Sequence, residues 1–261
     1  MNLIVCVKQV PDPETPASQF RVDEAAKKVV PPAGIAPTLN QYDANAVEAA
    51  VQLKEQHGGR ITVISLGKES ARDAIKQALS MGCDAGLLID DPAFEDADAF
   101  QTASVLAAAI RSIGEYDLIL CGRQASDWDQ AQVPQGLAEL LGLPSVTPVA
   151  GIEVNGSTLR VKRLIEDGYE LLDVPMPAVL AVSNEANQPR YPTLKGIMAA
   201  ARAKVEVKTA ADFGVSADGR KVKLLRLYVP KVESQIEWIT GETPEEQAAN
   251  LARRLREERV I

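Results

Sequence analysis

Aromatic residues make up only 4% of this 261-residue chain, and histidine occurs once. The first shortage means that a core must be assembled from Val, Leu, Ile and Ala, as in α/β proteins whose parallel strands are buried on both faces. The second removes most acid–base and metal chemistry. His57 precedes Gly58-Gly59, where a helix ends, so no Ser-His-Asp arrangement is available and no His or Cys cluster has metal-ligand spacing. The three cysteines, Cys6, Cys83 and Cys121, are an odd number. Cys6 and Cys121 each end an apolar run, where a thiol acts as a small hydrophobe, and the pattern points to a reducing, cytoplasmic compartment. No apolar run approaches the ~20 residues that span a bilayer. Positive charge is not in excess: 28 Lys and Arg stand against 36 Asp and Glu, a net charge of −8, and nothing resembles a nucleic-acid footprint. A Gly-rich dinucleotide fingerprint and a Walker loop are both missing. The N-terminus enters a strand at once with no basic region before it, so no signal peptide is expected.

What is present is alternation. Short apolar runs at Leu3–Val7, Ile61–Ser65, Gly86–Ile89 and Leu118–Cys121 read as strands. Amphipathic stretches lie between them. Asp43 reads as the N-cap of a helix to about Gln56, with Ala46, Val47, Ala50, Val51 and Leu53 inward. Ser70 with Asp73 reads as a capping box for a second helix, and Asp98–Ile113 as a third. A small hairpin is expected between Phe20–Val22 and Lys28–Val30. The fold class is therefore α/β, a doubly wound, mostly parallel sheet with helices on both faces. From Ser145 the pattern turns antiparallel, with a tight turn at Asn155-Gly156, another at Asp167-Gly168, and then the apolar run Ala178–Val182. Residues 1–207 form the α/β domain, and 208–261 read as a C-terminal arm poor in core. Leu224–Val229 and Ile236–Ile239 are expected strands of that arm, followed by a helix capped by Thr243 with Pro244 and Glu246. Ala248, Leu251, Ala252 and Leu255 line one face of that helix, and an arm with so little core of its own is expected to lie on another subunit.

Ligands of an open parallel sheet bind beyond the carboxyl ends of its strands. The most polar strand end is the fourth, with Gly122, Arg123, Gln124, Ser126, Asp127, Asp129 and Gln132 ahead of a helix near Pro134. Small residues there allow backbone approach to a ligand, and helix-start amides suit phosphate. Arg123 offers charge to a phosphate or to solvent; Asp127 and Asp129 are expected to cap the helix or meet a ribose hydroxyl. The acidic run Asp90-Asp91 with Glu95-Asp96 and Asp98 reads as a solvated loop.

The stretch Asn187–Arg202, NQPRYPTLKGIMAAAR, follows the last apolar strand. Its prolines hold a non-helical segment that leads to Leu194, Ile197 and Met198 on an expected loop, residues 184–200. An apolar tip on a stiffened loop suits a partner protein; packing back onto the domain is the other reading, and residue types alone leave both open.

NQPRYPTLKGIM, the N-terminal LIVCVKQVPDP and GRQASDWDQAQV from Gly122, in that order, resemble the beta subunit of electron transfer flavoproteins. The resemblance implies an adenine-nucleotide alpha hydrolase-like fold and an electron carrier, not an enzyme. It implies an alpha-subunit partner that carries FAD, and docking to flavin dehydrogenases such as acyl-CoA dehydrogenases through Leu194, with Ile197 and Met198 beside it. It also implies an adenine nucleotide in this subunit, either AMP or the adenylate part of a second FAD in electron-bifurcating members. The matching positions are Cys6, Asn40, Gln41, Tyr42, Asp43, Leu66 and the run Gly122, Arg123, Gln124, Ala125, Ser126, Asp127, Asp129, Gln132 and Val133. Gln41 stands where many relatives have Pro, and Trp128 where a smaller or acidic residue is usual. AMP against FAD stays open, as do a stand-alone nucleotide-binding α/β enzyme and a nucleotide sensor.

Overall fold

The computed structural model describes residues 1–230 and 236–261. Five strands and a helix come first: β1 (Asn2–Cys6), β2 (Gln9–Val10), β3 (Arg21–Asp23), β4 (Lys28–Val30), β5 (Thr38–Leu39) and α1 (Gln41–His57). Then follow β6 (Arg60–Leu66), α2 (Arg72–Met81), β7 (Ala85–Ile89), α3 (Ala99–Ile113), β8 (Leu118–Gly122) and α4 (Val133–Leu141). The remainder is β9 (Ser145–Asn155), β10 (Thr158–Ile165), β11 (Gly168–Pro175), β12 (Ala178–Val182), α5 (Leu194–Arg202), β13 (Val205–Lys208) and α6 (Pro244–Glu257).

One nine-stranded sheet organises the chain, in the order β11-β10-β9-β12-β8-β1-β6-β7-β13. All pairings from β9 through β13 are parallel, and the β9-β10-β11 meander is antiparallel, as the sequence pattern predicts. Side chains alternate between two apolar layers. Leu3, Val5, Val63 and Leu120 face α1, α2 and α5, whereas Ile4, Cys6, Ile64 and Cys121 face α3 and α4. From β1 the chain builds outward through β6 and β7, then returns to lay β8 on the other side of β1. The order reverses between β1 and β8, and that is where a doubly wound sheet opens a crevice.

Several local expectations need correction. The cap of α1 lies at Asn40, and Asp43 sits inside the first turn with its carboxylate turned to the sheet. Ser70 caps nothing: its hydroxyl donates to Gln9 Oε1 at 2.8 Å, and a 3₁₀ turn at Glu69–Ala71 leads into α2. The acidic run is not simply solvated, because Asp98 forms the capping box of α3 and Asp91 accepts from the Ala93 and Ala210 amides.

Two compact units emerge, Met1–Leu227 and Tyr228–Ile261, a boundary later than the one expected after residue 207. β13 completes the sheet, and the chain beyond it is tied down by Lys221 and Val222 amides on Asp98 and by Ala217 on Gln101. In the second unit Thr243 caps α6 by accepting from the Glu246 amide at 3.2 Å. No residue of α6 is buried. The strands expected at Leu224–Val229 and Ile236–Ile239 are irregular backbone.

Candidate functional site

The carboxyl ends of β1 and β8 are joined by the start of α1. Asp43, 6% exposed, accepts from the Lys8 amide at 2.8 Å and the Gly122 amide at 3.0 Å. Burial pushes its carboxyl up to about 7, against the pull of those amides, of Asn40 and of the Lys8 charge. Asn40 bridges the next turn: its Nδ2 donates to Gln124 O at 2.8 Å and its Oδ1 accepts from Ser126 N at 3.2 Å. The loop after β8 is thus fastened to α1 at three successive points.

Its outer part is cross-linked as well. Lys8 Nζ holds both oxygens of Asp127, at 2.8 and 2.7 Å, and Gln124 Nε2 donates to Asp129 at 2.8 Å. Ala125 O accepts from the Trp128 and Asp129 amides, and Asp129 and Ala131 take positive φ. The acids therefore do not cap the next helix; α4 starts at Val133, after Gln132, with no side-chain cap. Its first-turn amides are left for another acceptor.

Five more of the predicted residues have contacts within the fold. On its Cβ side Gly122 faces α1: a Cβ there would lie 2.4 Å from Asp43 Oδ1 and 2.7 Å from the Tyr42 carbonyl carbon. Its smallness serves the approach of α1 to the sheet. Arg123 is turned under the loop, 5.0 Å from the Tyr42 ring centroid, where it donates to Ser183 Oγ at 3.3 Å and nears Glu185 at 4.0 Å. Leu66 packs on the α3 layer, and Gln41 is exposed in the first turn of α1. Cys6 lies in the sheet beside Cys121. The Cys121 thiol is pushed well above its usual range, first by its hydrogen bond with Cys6 and then by burial, so it is neutral at pH 7.

Among the described residues four buried side-chain polar atoms lack a hydrogen-bond partner: Ser65 Oγ near the end of β6, Arg123 Nε after β8, Gln135 Oε1 in the first turn of α4, and Arg163 Nε on β10, in the meander. Such groups are costly unless something bonds them. Ser65 Oγ and Arg123 Nε are donors of the kind that suit a phosphate, whereas Gln135 Oε1 is an acceptor that suits a hydroxyl or amine. Two hollows among the described residues lie elsewhere, one by Pro92, Asp96 and Arg220, the other at the amino-terminal ends of β1, β6 and β7 by Asn2, Arg60 and Glu206.

The second feature is apolar. Tyr191 is 94% exposed, Leu194 74%, Ile197 51% and Met198 50%. The expected loop ends at Thr193, which caps α5 by accepting from Gly196 N at 3.1 Å, so Leu194, Ile197 and Met198 stand on a helix. Gly196 sets the inner side of α5 against α2, since a Cβ there would lie 2.3 Å from Ser80 O. Lys76 of α2 caps the far end by donating to Ala200 O and Ala203 O at 2.6 and 2.5 Å. These positioning residues, together with Lys8, Asn45, Glu48 and Ser183, were not identified as such from sequence. The one visible signal was Glu48, a carboxylate inside an otherwise apolar helical stripe.

Comparison with known proteins assigns the arrangement to a family. A family model described as "Electron transfer flavoprotein domain" matches residues 29–213. An "Electron transfer flavoprotein subunit beta" of Thermoanaerobacterium thermosaccharolyticum is 40% identical over the whole of both chains. "Caffeyl-CoA reductase-Etf complex subunit CarD" of Acetobacterium woodii is 35% identical, again over all of both chains. "Protein FixA" of Azorhizobium caulinodans is 36% identical over 82% of this chain and 77% of its own. The chain belongs to the electron transfer flavoprotein beta-subunit family, and its role is that of an electron-carrier subunit, not of an enzyme.

Proposed function

We propose that this subunit binds the adenylate of AMP or of an FAD at the β1/β8 rim, pairs with an FAD-carrying alpha subunit, and docks on flavin dehydrogenases through α5. The observation that carries the reading is the rim itself: a loop fastened to α1 by Asn40 and Asp43 at the switch point of the sheet, with orphaned polar atoms beside it. A bound flavin supplies the electron uptake and release; this chain's residues bind, orient and dock. The alpha subunit is the natural cover for α6, whose Ala248, Leu251 and Ala252 are exposed. The buried, unpaired thiols fit a reducing cytoplasm, and among the described residues no helix is long and apolar enough to cross a membrane.

Nucleotide released from the purified heterodimer by acid and quantified by chromatography tests the site. The expected result is AMP, or FAD beyond the one equivalent held by the alpha subunit. Lys8→Ala leaves the Asp127 carboxylate uncompensated at the rim and is expected to weaken retention of the anionic ligand on the order of tenfold. Lys8→Ala with Asp127→Ala is expected to restore it. Equal, full retention in wild type and both variants would move the site elsewhere.

A further inference from the structure

The segment that delivers Leu194 to the surface is gripped by α1 through Arg190. The Arg190 amide and Nε donate to Glu48 Oε2 at 3.1 and 2.8 Å, and one terminal nitrogen donates to Glu48 Oε1 at 3.0 Å. The same fork reaches Glu55, at 2.5 and 3.0 Å. Glu48 and Glu55 are two helical turns apart, so they share one face of α1. Arginine suits this place because its planar fork engages two carboxylates at once, which a lysine ammonium cannot do.

A surface segment does not need this arrangement merely to stay attached. Asn45 and Asn187 already exchange hydrogen bonds, at 2.8 and 3.0 Å. Glu48, with a side chain only 5% exposed, is the costly part. A carboxylate among Val47, Ala49 and Ala50 is tolerable only when charge-paired and hydrogen-bonded. Burial alone would raise its pKa, yet the Arg190 and Gln52 contacts bring it below the usual carboxylate range. The buried charge thus holds the backbone amide and side chain of Arg190 together. Three residues later Thr193 caps α5, and Leu194 is the next residue.

We propose that Arg190 is a positioning residue for docking: its grip on Glu48 and Glu55 fixes the direction in which Leu194, Ile197 and Met198 leave the surface. It does this without touching the partner. The inference rests on the docking role proposed above for α5. An apolar anchor held in its bound orientation has less conformational freedom to lose on association. A loosened one must be ordered at each encounter.

The test uses the intact heterodimer with Arg190→Ala, Arg190→Lys and Leu194→Ala. Hydrogen exchange over residues 191–203 is read without any partner. KM and kcat are then read with an acyl-CoA dehydrogenase, reduced by its own substrate, as electron donor. Arg190→Ala is expected to speed exchange over 191–203 and raise KM for the dehydrogenase about tenfold, with kcat little changed. Arg190→Lys is expected to recover only part of the loss. Because Arg190→Ala strands a buried carboxylate, Arg190→Ala with Glu48→Gln serves as the folded control and is expected to show the same two changes. Unaltered exchange over 191–203, or faster exchange with unaltered KM while Leu194→Ala raises it, would overturn the inference. If Leu194→Ala also leaves KM unaltered, the docking role itself fails and this proposal falls with it.

Discussion

The amide of Gly122 donates to the buried carboxylate of Asp43 across a gap that admits no side chain. Strand β8 ends there and α1 begins there, so a single contact sets the spacing between sheet and helix at the rim. Its tightness makes Gly122 a residue of the fold before it is a residue of any site. Gly122→Ala places a methyl against the Tyr42–Asp43 backbone, which cannot yield as a flexible side chain would. We expect a loss of about 2–3 kcal/mol or more in unfolding free energy, seen as a lower urea midpoint. Nucleotide loss in this variant would follow from the displaced helix. A variant that melts like wild type would show that the approach of α1 is less close than described.

Asp43 makes the same contact sensitive to pH. Its unfolded value is 3.8 and its folded value about 7, raised by burial above all. The folded protein therefore holds this proton more tightly than the unfolded chain. The contribution is fully present below pH 4 and is lost as pH rises through 7. Asp43→Asn removes the titration while keeping the shape. Relative to that variant, wild type is expected to lose stability between pH 4.5 and 7.5, on the order of a few kcal/mol. Urea unfolding of both proteins at several pH values measures the difference, in which groups such as Glu48 cancel. Two curves that stay parallel over that range would exclude the effect.

These cases show which features sequence could reveal. The strand order was within reach because each buried strand is a short apolar run between amphipathic helices, and because Asp98 and Thr243 carry their capping partners three residues away. Local chemistry of that kind is written in adjacent positions. Asp43 and Ser70 were misread for the converse reason. Each looks like a helix cap, yet Asp43 bonds amides 35 and 79 residues away and Ser70 bonds Gln9 across 61 residues. Strands β1, β6, β7 and β8 end within a residue of where their apolar runs end, whereas the direction of Arg123 depends on Ser183, 60 positions further on. α5 was read as loop because Pro189 and Pro192 stand just before it; Gly196 within it is needed by the close approach of Ser80 of another helix.

Gly196 therefore offers a way to disturb docking from the inner side of α5. Gly196→Ala improves intrinsic helix propensity by about 1 kcal/mol. Its methyl, however, would sit 2.3 Å from the Ser80 carbonyl oxygen, a backbone atom held in α2. The helix has to move outward, and the Lys76 cap at its far end is stretched. We expect a raised KM for the dehydrogenase and little change in far-UV circular dichroism. A gain in thermal stability with unchanged KM would mean that α5 adapts freely and that its seat on α2 is not tight.

Leu194 is the most direct test of what α5 is for. It is 74% exposed, and Ile197 and Met198 beside it are about half exposed, on a helix fixed to α2 at both ends. An exposed leucine supports little of its own fold, so truncation should leave the melting temperature nearly unaltered. If it enters a pocket on a dehydrogenase, it should behave as an interface hot spot. Leu194→Ala is then expected to cost ~2 kcal/mol or more of docking free energy, on the order of thirtyfold in affinity. The loss should fall on KM for the dehydrogenase, with electron transfer inside the formed complex preserved. A core leucine would show the reverse pattern, losing ~2–5 kcal/mol of folding stability on truncation. Melting and transfer kinetics measured on one preparation separate the two. A large fall in melting temperature with unchanged kinetics would make Leu194 a structural residue and leave α5 without its proposed partner.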